Sequence, residues 1–394
     1  MLQETQEVLS RELNDLENSI NDHLLMGLLL SNLQNCWRIQ GHWDRAEALE
    51  SMMLNARMKE FGMDSATTIS SITNLAYFHQ QQGRLDNAID FIKEALEISL
   101  KNLGPDHQIT LVIMGNLASV YCSLGDFDQS GEVEQNLLEK RTSLLGEDHP
   151  DTLTSISNQA MIFWRQGKVQ DAMVLATKAY ETRRKILGSN HPDSVISMSN
   201  LALIYQSQEE YDKAELLQKK TVDISIKILG EESPSTLMIM SNLALNYWYK
   251  GMLQEAEDLS LKVIAKRQQV LGETHPDTLT SMSNLALVYG SQGRLEESLE
   301  LEIDLLEKYR THLGETHPDT LLSIDNLAHT YEKMEEWAKA ETLLVDALAK
   351  RKSVLGELHP DTMGNTHRLL LVYKELGKIE EIRAIAEKLA ALNS

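Results

Sequence analysis

The sequence predicts an all-α protein, a solenoid of antiparallel helix pairs, and three observations carry that reading. Glycine returns at a fixed interval of 42 residues, at Gly62, Gly104, Gly146, Gly188, Gly230, Gly272, Gly314 and Gly356. Self-similarity at such a period marks a repeat architecture. A loop motif travels with the glycine, in its fullest form Leu271-Gly272-Glu273-Thr274-His275-Pro276-Asp277-Thr278. Glycine just past a helix takes the left-handed backbone that ends it, and proline suits the first turn of the next helix, where its missing N–H is not needed. Between loops, apolar residues recur three and four apart, as at Met282, Leu285, Ala286 and Tyr289, the spacing that gives a helix one apolar face.

Taken in order, residues 1–18 read as an amphipathic helix with Leu2, Leu9, Leu13 and Leu16 among glutamates. By phase it is the second helix of a pair, either an N-terminal cap or a truncated repeat. Residues 19–358 hold eight 42-residue helix pairs, the first from helices over about 22–38 and 43–60 joined at Gly41. Residues 359–394 form a drifted C-terminal capping pair, Pro360 to about Lys374 and Ile379 to Leu392. Arg368 stands there in place of an asparagine and Ile382 in place of a small residue, departures that suit the solvent-facing end of a stack.

Within the clearest pair, Pro276 to Ser291 is followed by Leu295 to His312, with Leu295, Leu299, Ile303 and Leu306 as the apolar stripe. Ser298 is the small contact point, and Glu296, Glu297 and Glu300 face solvent. The same small position is Ala46, Ala88, Ser130, Ala172, Ala214, Ala256 and Ala340 in the other pairs, where it lets two backbones approach. The first helix carries a core aromatic, for example Phe163, Tyr247 and Tyr289. The turn glycine within each pair is replaced by Glu209 and Glu335 in two copies, so those turns avoid a positive φ or carry strain.

Composition narrows function. The chain of 394 residues has 59 acidic and 37 basic side chains, a formal charge of −22, which opposes phosphate contact and excludes nucleic acid as a general partner. Cys36 and Cys122 show no pairing pattern, fitting a reducing compartment, cytoplasm or nucleus, with a cytoplasmic setting expected. The opening residues lack the basic and apolar regions of a signal peptide, and the apolar run Leu24 to Leu30 is too short to span a membrane.

The spacing of small, aromatic and glycine positions resembles the tetratricopeptide repeat (TPR). The 42-residue form, with Asn-Leu-Ala-x-x-Tyr at Asn284 to Tyr289 and the Leu-Gly-Glu-x-His-Pro-Asp-Thr loop, resembles the repeats of kinesin light chains and kinesin-light-chain-like proteins. The resemblance covers about residues 19–392 and implies a right-handed superhelix. It also implies a role for one asparagine per repeat, Asn32, Asn74, Asn116, Asn158, Asn200, Asn242, Asn284 and Asn326. In that family the matching amides lie on the inner surface and bond to the backbone of an extended peptide. A second reading stays open, in which each amide joins one helix pair to the next.

Trp164, Trp248 and Tyr249 lie beside this file on the face that the resemblance turns inward, and Phe163 and Tyr247 next to them are expected to hold the core position. The expected peptide-binding set is therefore Asn158, Asn200, Asn242, Asn284, Trp164, Trp248 and Tyr249, over a floor of small residues that includes Ser199 and Ser241. The net charge favours a ligand with neutral or basic flanks. The first helices carry none of the Lys or Arg that chaperone-tail-binding TPR domains use as a carboxylate clamp. The loop histidines His107, His149, His191, His275, His317 and His359 are whole repeats apart and cannot converge on a metal; capping the following helix is their expected role. No catalytic, metal or cofactor site is expected. The function read from sequence is a non-enzymatic scaffold or recognition domain for a protein or extended peptide. A ligand-sensing domain of a larger signalling protein and an enzyme built on the array are the rivals, with self-association through array ends as a third class.

Overall fold

Apolar and small residues three and four apart wind each inter-loop segment into helix, and the loop motif fixes where each begins and ends. A computed structural model describes residues 23–39 and 42–392; the helix expected over 1–18 and the turn at Gly41 lie outside the described residues. The described helices are α1 His23–Ile39, α2 Trp43–Phe61, α3 Ala66–Gln81, α4 Leu85–Asn102, α5 Gln108–Ser123, α6 Phe127–Leu145, α7 Pro150–Arg165, α8 Val169–Leu187, α9 Pro192–Ser207 and α10 Tyr211–Leu229. They continue as α11 Pro234–Tyr249, α12 Leu253–Leu271, α13 Pro276–Ser291, α14 Leu295–Leu313, α15 Pro318–Lys333, α16 Trp337–Leu355, α17 Pro360–Glu375 and α18 Ile379–Leu392. Two compact units result, one up to Glu231 with α1–α10 and one from Glu232 with α11–α18. Each is an all-α, right-handed solenoid of antiparallel pairs. Each helix packs on the next within its unit, and first helices also meet first helices, as α3 meets α5.

The loop motif has a part for each residue. Gly272 has φ of +98°, open to glycine at no steric cost, and closes α12 through an N–H bond to Gln268. His275 is the N-cap of α13, its Nδ1 accepting from the Asp277 N–H at 3.1 Å. Pro276 opens the helix. Thr278 is buried and donates its hydroxyl back to the Gly272 carbonyl at 2.9 Å. The same histidine cap recurs at His107, His149, His191, His317 and His359, as expected from sequence.

The small crossing residues are fully buried, from Ala46 to Ala340. Where serine replaces alanine, burial is made tolerable by a hydrogen bond: Ser130 and Ser298 each donate to a first-helix carbonyl, Ala118 and Ala286, at 2.8 Å.

Two expectations about the core are corrected. On α14, Ile303 is 47 % exposed, and the buried line runs through Ser298, Glu302, Leu305, Leu306 and Tyr309. Helix α14 must face both its own partner and the next pair, so its buried arc is displaced from the single stripe that its apolar spacing predicts. On the first helices, Phe163 and Tyr247 are only half-buried, and the residue before each, Ile162 or Asn246, is the buried one. The rings lie at the mouth of the wedge between helices, where cations cover them: Lys168 sits 5.4 Å from the Phe163 centroid and Arg294 4.1 Å from that of Tyr289.

Glu209 and Glu335 resolve in favour of strain. Both adopt positive φ, 61° and 60°, and the turns keep the backbone bonds of their glycine counterparts, with Glu210 N–H reaching the Tyr205 carbonyl at 3.0 Å as Arg294 N–H reaches Tyr289.

Candidate ligand-binding face

The asparagine file emerges on the surface of the first helices. Asn74, Asn116 and Asn158 are exposed, and Asn200, Asn242, Asn284 and Asn326 half-buried. Their partners differ. Asn74 Nδ2 donates to Glu50 at 3.2 Å, a carboxylate that also receives Gln34 and Arg57. Asn158 faces Glu134 in the same register, and Asn326 Nδ2 donates to Ser283 Oγ at 3.1 Å across consecutive first helices. These three amides join repeats. The side chains of Asn116, Asn200 and Asn284, by contrast, make no hydrogen bond among the described residues, so the two readings of the file divide by residue.

Clefts follow the file in the first unit. A cavity of about 330 Å³ involves Gln34, Arg38, Asn74 and Asn116. Another of about 330 Å³ runs from Ser70 and Asn74 to Asn116. A third, about 420 Å³, extends from Asn116 past Gly115 and Met161 to Asn158. Gly115 replaces the serine or threonine of other copies, and a Cβ there would meet Leu137 at an ordinary 3.5 Å. At the base of this third cleft Glu134 is 1 % exposed. Burial pushes its carboxyl above the usual range, against the pull of Ser155, Arg141 and Asn158. Cys122, in the same lining, is likewise pushed up by burial.

The remaining expected residues fall in both units. In the first, Trp164 is half-buried with Arg165 stacked 4.9 Å from its ring centroid, and Ser199 is buried. In the second, Ser241 is buried and Tyr249 is 47 % exposed. Trp248 packs edge-on to Tyr249, centroids 4.7 Å apart, and its Nε1 donates to Ser291 Oγ at 2.7 Å on the next first helix. Thus Trp248 presents a ring edge while its polar end joins two pairs. Further along, Arg368 donates to Glu332 at 2.8 Å. Burial works to raise the Glu332 carboxyl, but His329 and Arg368 outweigh it and hold it low.

A row of arginines escaped the reading of the first helices because it comes from the second helices. Arg57, Arg141, Arg183, Arg267 and Arg351 share one phase of the 42-residue period, which is the signal that finds them. Arg183 is 3 % exposed and spreads its guanidinium over Ser197 at 2.6 Å, Ser157 at 3.2 Å and Thr154 at 2.7 Å. Positive charge therefore underlies the serine floor, although each guanidinium is spent on the scaffold. Among the described residues no group of three or more His, Cys, Asp or Glu is placed to hold a metal ion, and no helix is long and apolar enough to cross a membrane.

The tetratricopeptide repeat profile matches residues 65–130, 110–185, 161–227, 194–269 and 235–311, and a second tetratricopeptide profile matches 320–361. The chain belongs to the tetratricopeptide repeat family. No curated protein shows significant similarity to it. Among solved structures, the nearly identical TPR-like repeats of a putative kinesin light chain from Podosopora anserina are 29 % identical over 51 % of this chain and 95 % of that one, with a TM-score of 0.42. A Rap protein complexed with competence and sporulation factor aligns over 89 % of this chain and 98 % of its own at 13 % identity and a TM-score of 0.54. Aspartyl phosphate phosphatase F from Bacillus subtilis covers 89 % and 90 % at 15 % identity and a TM-score of 0.53. The last two share the TPR fold with this chain. TPR arrays generally act as protein–peptide binding scaffolds.

Proposed function

We propose that this TPR protein is a non-catalytic, cytoplasmic recognition scaffold of the kinesin-light-chain-like kind, binding an extended segment of a partner protein along its first helices. One observation carries the reading: in the first unit, Asn116 lines three successive clefts, two of them with Asn74 and the third with Asn158. An amide offers both donor and acceptor, the complement of a peptide backbone unit. Asn116 and Asn200, whose side chains make no hydrogen bond among the described residues, are the ligand contacts in that unit in this reading, with Met161 and Trp164 of α7 as apolar contacts and Ser199 in the floor. In the second unit Asn284, Trp248 and Tyr249 offer a comparable surface above Ser241. The loop motif and the 42-residue period support the kinesin-light-chain-like assignment.

The net charge of −22 selects segments with neutral or basic flanks, since a clustered acidic ligand would be desolvated beside like charge. The test is selection of peptides from a displayed random library on the immobilised full chain. Enrichment of extended sequences with neutral or basic flanks, competed by one another, supports the reading. Enrichment of acidic segments, or none above background, contradicts it.

A further inference from the structure

The asparagine-bearing face of α5 is cut back. Gly115 stands where other first helices carry Thr73, Ser157, Ser199, Ser241 and Ser283, and Ser119 stands where they carry Tyr77, Met161, Leu203, Leu245 and Leu287. Both departures remove bulk, one helical turn apart on one face. Both residues line the cavity of about 420 Å³ between α5, α6 and α7, with Met161 of α7 across from them.

This cavity opens to solvent. Val112 in its lining is 46 % exposed, and Asn116, Ser119, Thr154 and Asn158 are exposed as well. Its walls are apolar at Val112, Ala118, Met161 and Ile162. The polar lining is largely spent within the protein: Gln80 donates to Ser119 Oγ at 3.1 Å, and Cys122 Sγ meets Ser130 Oγ at 3.1 Å. Arg141 donates to Ser155 Oγ at 2.8 Å and to the Asp151 carbonyl at 3.2 Å, and Asn158 is joined to Glu134. Asn116 alone of the exposed amides here makes no hydrogen bond among the described residues. The opening therefore offers an apolar wall beside one unfilled amide.

We propose that this cavity is the specificity pocket of the first unit, taking one apolar side chain of leucine size or larger from the bound segment, while the Asn116 amide pairs with the backbone beside it. The inference rests on the peptide-binding reading above and adds the residue that the segment must carry. An apolar side chain covers Val112, Met161 and Ile162 and strands no polar group. A cationic one finds no accessible carboxylate, since Glu134 is 1 % exposed, and an acidic one competes with Ser155 and the Asp151 carbonyl for Arg141. Other first helices of the unit carry the bulk themselves, as Tyr77 on α3 and Leu203 on α9.

NMR on the full chain, isotopically labelled at the methionine methyls, tests the pocket. The Met161 signal is assigned by its loss in Met161→Leu, a swap of nearly equal volume. The probes are the N-acetyl N-methylamides of leucine, alanine and glutamate. The expected result is a saturable shift of the Met161 methyl with the leucine amide, the other two binding more weakly by about tenfold or more. Gly115→Thr installs the residue that α3 carries at this position, and a Cβ there meets only Leu137, at an ordinary 3.5 Å. Its melting temperature should hold or rise, glycine being the poorer helix former, while leucine-amide binding weakens by about tenfold. Ser119→Leu, which installs the residue of α9, should do the same one turn further along. No Met161 shift, a glutamate amide that binds as tightly as the leucine amide, or undiminished leucine-amide binding in both folded variants overturns the pocket.

A second arm runs the displayed library on the parent chain and on Gly115→Thr. A large apolar residue enriched at one position on the parent and lost on the variant upholds the proposal. Enrichment of neutral or basic flanks without such a residue, equal on both chains, overturns the pocket and leaves the groove reading standing. No enrichment on either chain, with Met161 still responding to the leucine amide, removes the groove reading and upholds the pocket.

Discussion

Arg267 and Ser281 join consecutive helix pairs of the second unit: the guanidinium donates to the Ser281 hydroxyl at 2.6 Å and to the Asp277 carbonyl at 2.5 Å. Arg267 is 3 % exposed, and the same spacing joins Arg183 to Ser197 at 2.6 Å. Removing one partner of a buried charge-assisted contact strands the others, so Arg267→Ala should cost about 2–4 kcal/mol. Arg267→Met keeps most of the volume without a buried charge and should cost clearly less. Urea unfolding of both variants checks the order, and equal losses would show that the volume restored by methionine counts for nothing and that the guanidinium's hydrogen bonds alone hold the joint.

The histidine caps give a second test. His275 Nδ1 accepts from the Asp277 N–H, one of the orphan donors that open a helix. His275→Ala should lower stability by about 1 kcal/mol, and His275→Asn, which restores an acceptor, should recover most of it. A thermal melt in which asparagine is no better than alanine would contradict the capping role.

The turns at Glu209 and Glu335 hold φ near +60°, a conformation that costs a side-chain-bearing residue roughly 1–2 kcal/mol. Glycine relieves this but is freer when unfolded. Glu209→Gly and Glu335→Gly should therefore each stabilise by about 0.5–1 kcal/mol net. A loss of stability would mean that the glutamate side chains contribute contacts outweighing the strain.

Buried Glu302 predicts a pH dependence. Burial raises its carboxyl above the usual range, with Thr330 and Ser298 opposing. A raised folded value means that the protonated acid is favoured on folding. Its contribution is thus full below the ordinary carboxylate range and is lost as pH rises through the raised value. Glu302→Gln removes this dependence, so the variant's stability relative to the parent should grow from pH 4 to pH 8. A difference independent of pH would show that Glu302 is not held as an acid.

The fold was legible because every copy repeats its period, loop and small crossing residue, and Pro276–Ser291 begins and ends where its turn chemistry places it. The core register was less legible. Tyr247 looks like the core residue by size, yet Asn246 is the one buried, because which side of a helix faces the next pair depends on packing that one segment does not contain. At the binding face the asparagine file was visible as a row. Its division was not, since the partner of Asn158 lies on the preceding second helix and Asn116 differs from it only in lacking one. The arginine row carried a clear phase, but the guanidiniums reach first-helix serines from second helices, a relation apparent only in three dimensions.

In the proposed function the unpartnered asparagines read a ligand while the partnered ones hold the scaffold. Calorimetry with a library-selected peptide, together with thermal melts, tests it on Asn116→Ala/Asn200→Ala and on Asn158→Ala. The first variant should keep its melting temperature, alanine being the better helix former, and lose roughly 1–3 kcal/mol of binding for two hydrogen bonds. Asn158→Ala, which strips a partner from buried Glu134, should lower the melting temperature. Unchanged peptide affinity in Asn116→Ala/Asn200→Ala with a lowered melting temperature would contradict the account.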